Sequence, residues 1–326
     1  MKCARIVLTW ALLAAAAGGT YAQTAASDYP NRPLRYIVPF PPGGSTDIFA
    51  RIVADALTDR LGQHVVVDNR AGASGLLGAQ IAARATPDGY TIFACNIASL
   101  ALSPALYRKV GYDPEADFAP IGLIGSNPNA LAIHPSVPAA TVAEFIAYAK
   151  TRPGKLNYGS AGIGTSPQLS MELFKMTAGI DIVHIPYKGG GPLLMALVAA
   201  EVQSLFGTVP LLLGPTRSGK VRTLGVTSST RAVDLPDVPT IAESGMPGFE
   251  VVSWQGLCTP TGVPGPALAK LRAVLPAALA VPDTRKRLAE QGVQVTPLTH
   301  DKYAEYIRAE RAKWTKLVKD VGIKPQ

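Results

Sequence analysis

The chain has 326 residues, 48% of them hydrophobic, and a formal net charge of +8. This composition excludes a disordered chain and supports a large buried core. The basic residues are scattered and no aromatic-basic motif accompanies them, which argues against nucleic acid and for an anionic small ligand or an acidic partner.

Residues 1–22 read as a signal peptide. Lys2 and Arg5 precede an apolar run over 6–17 that is too short to span a bilayer, and Thr20-Tyr21-Ala22 places small residues at the cleavage-determining positions. Cleavage is expected after Ala22, giving a soluble, periplasmic mature protein. Without Lys2 and Arg5, 29 basic residues face 23 acidic ones, a formal charge of +6. The roughly 300 residues that remain suggest two domains.

Residues 36–51 read as strand, Gly-rich turn and helix. Tyr36, Ile37 and Val38 favour a strand, and Pro39, Pro41 and Pro42 end it. Gly43 and Gly44 allow a sharp turn, and Ser45, Thr46 and Asp47 are N-cap types. Ile48, Ile52, Val53, Ala56 and Leu57 recur at helical spacing, and Gly62 stops the helix. Such a helix start suits an anion, but it equally suits an ordinary strand-to-helix turn. The pattern recurs at 156–167, where Pro167 suits the first helical turn, and at 182–192. Residues 96–99 follow another strand and form a second pocket edge. Residues 121–133, broken at Pro128, and 249–259 read as extended crossings between domains. Thr141 and Glu144 form a capping box. A closing helix over 301–321 carries Tyr303, Ile307, Trp314, Leu317 and Val321 on its apolar stripe. Strands alternating with helices predict mostly parallel sheets with ligands at their carboxyl ends.

Catalytic motifs are absent or incomplete. Residues 214–220 match a phosphate loop through Lys220, but Val221 replaces the magnesium-binding hydroxyl, so a helix-to-strand turn is expected. No Gly-x-Ser-x-Gly elbow occurs. His64, His134, His184 and His300 show no metal spacing, and His184, alternating in a strand, reads as structural. No nucleophile is paired with a base, and no metal or cofactor is expected. Lys188 is either a cation for a carboxylate or a solvated loop lysine. Cys95 and Cys258 read as two buried free thiols, although an oxidising compartment allows a disulfide.

Several segments together resemble the Bug-type extracytoplasmic binding proteins of tripartite tricarboxylate transporters. They are Pro-Phe-Pro-Pro-Gly-Gly-Ser-Thr-Asp from Pro39, Val-Val-Val-Asp-Asn-Arg-Ala-Gly-Ala from Val65, Pro-Asp-Gly-Tyr-Thr from Pro87 and Tyr-Asp-Pro-Glu-Ala-Asp-Phe from Tyr112. Pro-Tyr-Lys-Gly-Gly-Gly-Pro from Pro186, Leu-Pro-Asp-Val-Pro-Thr from Leu235, Gly-Met-Pro-Gly-Phe-Glu from Gly245 and Glu310 four residues before Trp314 complete the set.

The resemblance implies an α/β, two-lobed type II periplasmic-binding-protein fold with mixed, mostly parallel sheets. Lobe 1 would hold residues 23–124 plus 254–326, lobe 2 would hold 125–253, and hinges would lie near 125–129 and 252–255. It implies a small carboxylate held by loops of both lobes. One cradle is Phe40, Gly43, Gly44, Ser45, Thr46 and Asp47, with Ser99 nearby. The other is Ser160, Ala161, Gly162, Gly164, Thr165 and Ser166, with Tyr187, Lys188 and Gly189. Asp47, at the first helical turn, would cap that turn or hold water rather than touch the anion. Two departures bear on the ligand. Gln168 stands where relatives commonly have His, and Gly207 stands where many have Asp, a partner for an ammonium group. A dicarboxylate or aromatic carboxylate is therefore favoured over an amino acid. The implied role is a monomeric, non-enzymatic receptor serving membrane transporter subunits; the alternative is a ligand sensor acting on a two-component signalling partner.

Overall fold

The computed structural model describes residues 28–162 and 165–320. The signal-peptide reading, Gly164 and Val321 lie outside the described residues.

β1 (Leu34–Val38) leads through a turn into α1 (Ser45–Leu61), and β2 (Val65–Asn69) returns parallel to β1. α1 forms where the periodicity places it, and Gly62, at φ 67°, ends it by donating its N–H to the Thr58 carbonyl. α2 (Leu76–Ala83) precedes β3 (Thr91–Asn96), which pairs parallel with the other edge of β1. A π-turn at Ala98–Leu102 and the short α3 (Ser103–Leu106) follow.

β4 (Phe118–Ile133) then crosses the molecule. Beyond it come α4 (Val142–Lys150), β5 (Asn157–Ser160), α5 (Ser166–Ala178) and β6 (Val183–Pro186). α6 (Gly190–Val198), β7 (Ser204–Thr208), α7 (Val209–Arg217) and β8 (Arg222–Val226) close the middle of the chain. α7 runs through Gly214 to Arg217 before β8, so the phosphate-loop look-alike is a helix end and turn. β9 (Val252–Pro260) crosses back, followed by α8 (Gly265–Leu279), α9 (Pro282–Glu290), β10 (Gln294–Leu298) and α10 (His300–Asp320). The expected capping box of α4 forms in its first half, the Thr141 hydroxyl accepting from Glu144 N, while the Glu144 carboxylate reaches one residue further back and accepts from Ala140 N.

Two sheets share β4. Its first half pairs with β9 and β10 and continues through β3, β1 and β2; its second half pairs with β7 and β8 and continues through β5 and β6. Two expectations change here. β4 is not broken at Pro128, which sits opposite Val252 at the last rung of the β4–β9 ladder. The sheets are also less parallel than the strand–helix alternation predicts. Four described strand pairs are parallel and five antiparallel, and all five involve β4 or β9, because the chain crosses once in each direction.

The free-thiol reading of the cysteines is corrected. Cys95 on β3 and Cys258 on β9 form a disulfide with a Cα–Cα separation of 5.9 Å. β3 runs against β9 with Cys95 opposite Gly256 and Phe93 opposite Cys258, so the two cysteines are diagonal neighbours. Gly256 has a packing reason: an added Cβ would come within 2.5 Å of the Tyr303 ring and 2.6 Å of the Gly122 carbonyl. α10 is thereby seated on β9, and buried Glu310 accepts from the indole N–H groups of Trp254 and Trp314 at 3.1 and 3.0 Å. The C-terminal Glu/Trp motif is thus a packing device joining α10 to the return crossing.

Candidate functional site

β1 and β3 run in the direction of β4, toward the second sheet, while β5, β6 and β7 run against it. The carboxyl ends of both strand sets therefore point toward the crossing, and the Gly-rich turns follow those ends.

In the first turn Gly43 has φ 78°, a left-handed conformation that favours glycine. Gly44 occupies the N-cap position of α1 without a side-chain cap, and Asp47 reaches back instead. Asp47 is 2% exposed, and its Oδ2 accepts from Gly43 N at 2.9 Å and Arg51 Nε at 3.0 Å. Its Oδ1 accepts from Asn69 Nδ2 at 2.9 Å, and the same amide donates to the Phe40 carbonyl at 3.0 Å. Burial opposes ionisation of Asp47, but these hydrogen bonds and the Arg51 charge outweigh it and hold the carboxyl below its ordinary value. Asp47 thus braces the turn. Pro41, Pro42, Gly43 and Gly44 are exposed, with Phe40 and Thr46 half-buried.

In the second turn Ser160 is fully buried. Its hydroxyl bridges both sides of the Gly162 peptide, accepting from N and donating to O, each at 3.2 Å. Thr165 Oγ1 also donates to the Gly162 carbonyl, at 2.7 Å. Tyr187 N donates to the Ser160 carbonyl and Gly189 N to the Ala161 carbonyl, tying the turn after β6 to the turn after β5. Ala161, Gly162, Thr165, Ser166, Tyr187 and Gly189 are half-buried at this junction, and Lys188 is exposed. Lys188 has no ion-pair or hydrogen-bond partner among the described residues.

Sequence reasoning missed four braces. Asn69 and Arg51 were legible only as a motif member and a helix residue. Asn129, fully buried on β4, donates to Ser166 Oγ at 2.5 Å and Ser170 Oγ at 3.0 Å, and its Oδ1 accepts from no described residue. His184, which reads as structural in the sequence, has its Nε2 2.6 Å from Ser160 Oγ and its ring stacked on Tyr158 with centroids 4.8 Å apart, a bracing role the sequence does not specify. Burial pushes its imidazole below the ordinary value; Glu172 partly opposes this and Lys175 adds to it. Ser160 and His184 have the spacing of a nucleophile and its base, a pair not found in the sequence. Ser160 is buried in this conformation, with its hydroxyl engaged by Gly162 and His184.

Ser99 departs from the expected cradle. It is fully buried, its hydroxyl is engaged with Asn96, and its carbonyl accepts from the Tyr112 hydroxyl. In this conformation it shapes the turn after β3 without presenting its hydroxyl to solvent. Two cavities lie apart from the turns. One of about 210 Å³ is lined by Ile121, Arg272, Leu275 and His300, and one of about 360 Å³ by Pro128, Val209, Val233, Lys286 and Gly292.

Two lobes joined by crossing strands, with braced glycine turns at facing strand ends, define a two-lobed solute-binding protein of the type II periplasmic class. The chain belongs to the tripartite tricarboxylate transporter family receptors, whose family model matches residues 49–323. It is 36% identical over 310 residues to the protein BugT of Bordetella pertussis, covering 95% of each chain. Rpa4515 of R. palustris, determined with adipate, aligns with TM-score 0.82 at 36% identity, over 92% of this chain and 100% of that one. MatC (Rpa3494) of Rhodopseudomonas palustris, with bound malate, aligns with TM-score 0.77 at 33% identity, over 89% and 100%.

Proposed function

We propose that the mature protein is a periplasmic receptor that captures a small dicarboxylate between the two turns and presents it to membrane transporter subunits. The observation that carries this reading is the pair of braced turns at facing strand ends. α1 and α5 both begin there, and a helix start offers N–H donors and the positive end of a dipole. The exposed Lys188, in the turn after β6, adds a cation. Relatives of the same fold holding adipate and malate support the ligand class. Gly207, at the end of β7, offers no carboxylate to an ammonium group, which favours a plain dicarboxylate over an amino acid.

The lobes are assigned as 23–124 with 254–326, and 125–253. Closure on ligand bends β4 near 125–129 and β9 near 252–255. The protein acts by binding and release, so the ligand leaves unaltered. The Cys95–Cys258 disulfide fits an oxidising compartment, and no helix among the described residues is long and apolar enough to cross a membrane.

A thermal-shift series on refolded mature protein tests this with adipate, malate, benzoate and aspartate. A ligand at a hundred times its Kd stabilises by about 2.7 kcal/mol, a readable rise in Tm. Adipate or malate is expected to give the largest rise. A folded protein that responds to none of the four, or to aspartate alone, overturns the reading.

A further inference from the structure

The second turn has no charge within it to hold its course. Its anchor lies one strand away, in the register that places His184 of β6 beside Tyr158 of β5. Residues 158, 160 and 184 share a face, so the His184 ring lies over the Tyr158 ring and against the Ser160 hydroxyl.

One set of donor and acceptor roles satisfies every contact among the described residues. Ser160 Oγ accepts from Gly162 N and donates to Gly162 O, which uses its only proton. The 2.6 Å contact to His184 then requires Nε2 to carry a proton and donate to Ser160. Nδ1 is left as the acceptor, and Gln168 Nε2 faces it at 3.4 Å. In this assignment the ring is the neutral Nε2–H tautomer, with Ser160 on one side and Gln168 on the other. Beneath it, the Tyr158 hydroxyl donates to Glu172, which pairs with Lys175 at 3.2 Å.

We propose that His184 is a positioning residue for the ligand turn, acting through Ser160, with Gln168 holding the tautomer. His184 touches no ligand; it keeps the Ser160 hydroxyl aimed at the Gly162 peptide, and so preorganises the carboxylate-facing side of the turn before ligand arrives. This rests on the receptor reading above, and it assigns a role to Gln168.

The test uses full-length mature protein, calorimetry with adipate and malate, and hydrogen exchange of peptides spanning 158–169. His184→Leu keeps bulk but removes both ring nitrogens, and affinity is expected to fall about tenfold. His184→Gln returns an N–H donor near the Nε2 position and is expected to bind within about threefold of wild type. Ser160→Ala should match the His184→Leu loss, and the double variant should lose no more than either alone, since both break one chain of contacts. Full affinity in folded His184→Leu, equal losses in the Leu and Gln variants, or additive losses in the double variant each overturn the proposal. If wild type binds neither acid, the dicarboxylate reading fails by itself. Exchange then decides the positioning role alone: faster exchange over 158–169 in His184→Leu, reversed in His184→Gln, sustains it, and unchanged exchange refutes it.

Discussion

The two turns perform the same bend by different means. The turn at 41–44 is exposed and braced by an ionised group, because Asp47 gathers Gly43, Arg51 and Asn69. The turn at 160–166 is more enclosed and braced by neutral groups, Ser160, Thr165, His184 and Gln168, with Asn129 behind its helix. Asp47, itself buried, keeps its charge because Gly43 N, Asn69 Nδ2 and Arg51 all donate to it, and Arg51, about half exposed, stays solvated. An enclosed turn would pay heavily for an unpaired ion, so a hydroxyl, an imidazole and amides take over. The difference predicts that salt and pH act on the first turn and largely spare the second.

The largest effect should come from Asp47→Ala, which strands the Gly43 N–H and the Asn69 amide. A loss of about 2 kcal/mol is expected, read as a Tm several degrees lower. Ser160→Ala should cost about 1 kcal/mol, unchanged between 0.05 and 1 M NaCl, by denaturant titration at each salt. Acid should act next. The folded value of Asp47 is depressed, so its stabilisation is full above the ordinary carboxylate range near pH 4 and is lost as pH falls through the lower folded value. Wild type should therefore lose more stability than Asp47→Asn between pH 4 and 2.5, as followed by thermal melts. The smallest effect is that of salt on the Asp47–Arg51 pair, a few tenths of a kcal/mol, removed in Arg51→Gln. Equal salt responses in the Asp47 and Ser160 variants would break the comparison between the turns.

Much of this architecture was legible along the chain. Proline and glycine punctuation located both turns, and the spacing of Ile48, Ile52 and Val53 marked α1. Asp47 was readable as a brace because its partner Gly43 is four residues away. The rest depends on register. Asn69 reaches Asp47 from 22 residues away and His184 reaches Ser160 from 24 away, and no local pattern marks which residues of parallel strands stand together. Asn129 stands at the end of the polar stretch Ser126-Asn127-Pro128, where nothing local marks the distant helix it braces, and Ser99 looks available in the sequence because its engagement with Asn96 depends on the π-turn. The cysteines, 163 positions apart, were read as separate because only the antiparallel pairing of β3 with β9 brings them diagonal.

That pairing has a consequence for the chain as a covalent object. The disulfide brackets the whole middle of the sequence, so the second sheet beyond β4 is carried on a loop closed at its base by a covalent bond. A single peptide-bond cut anywhere between residues 96 and 257 opens the loop without dividing the molecule. Its fragments should migrate as one band on non-reducing gels and as two once the disulfide is reduced.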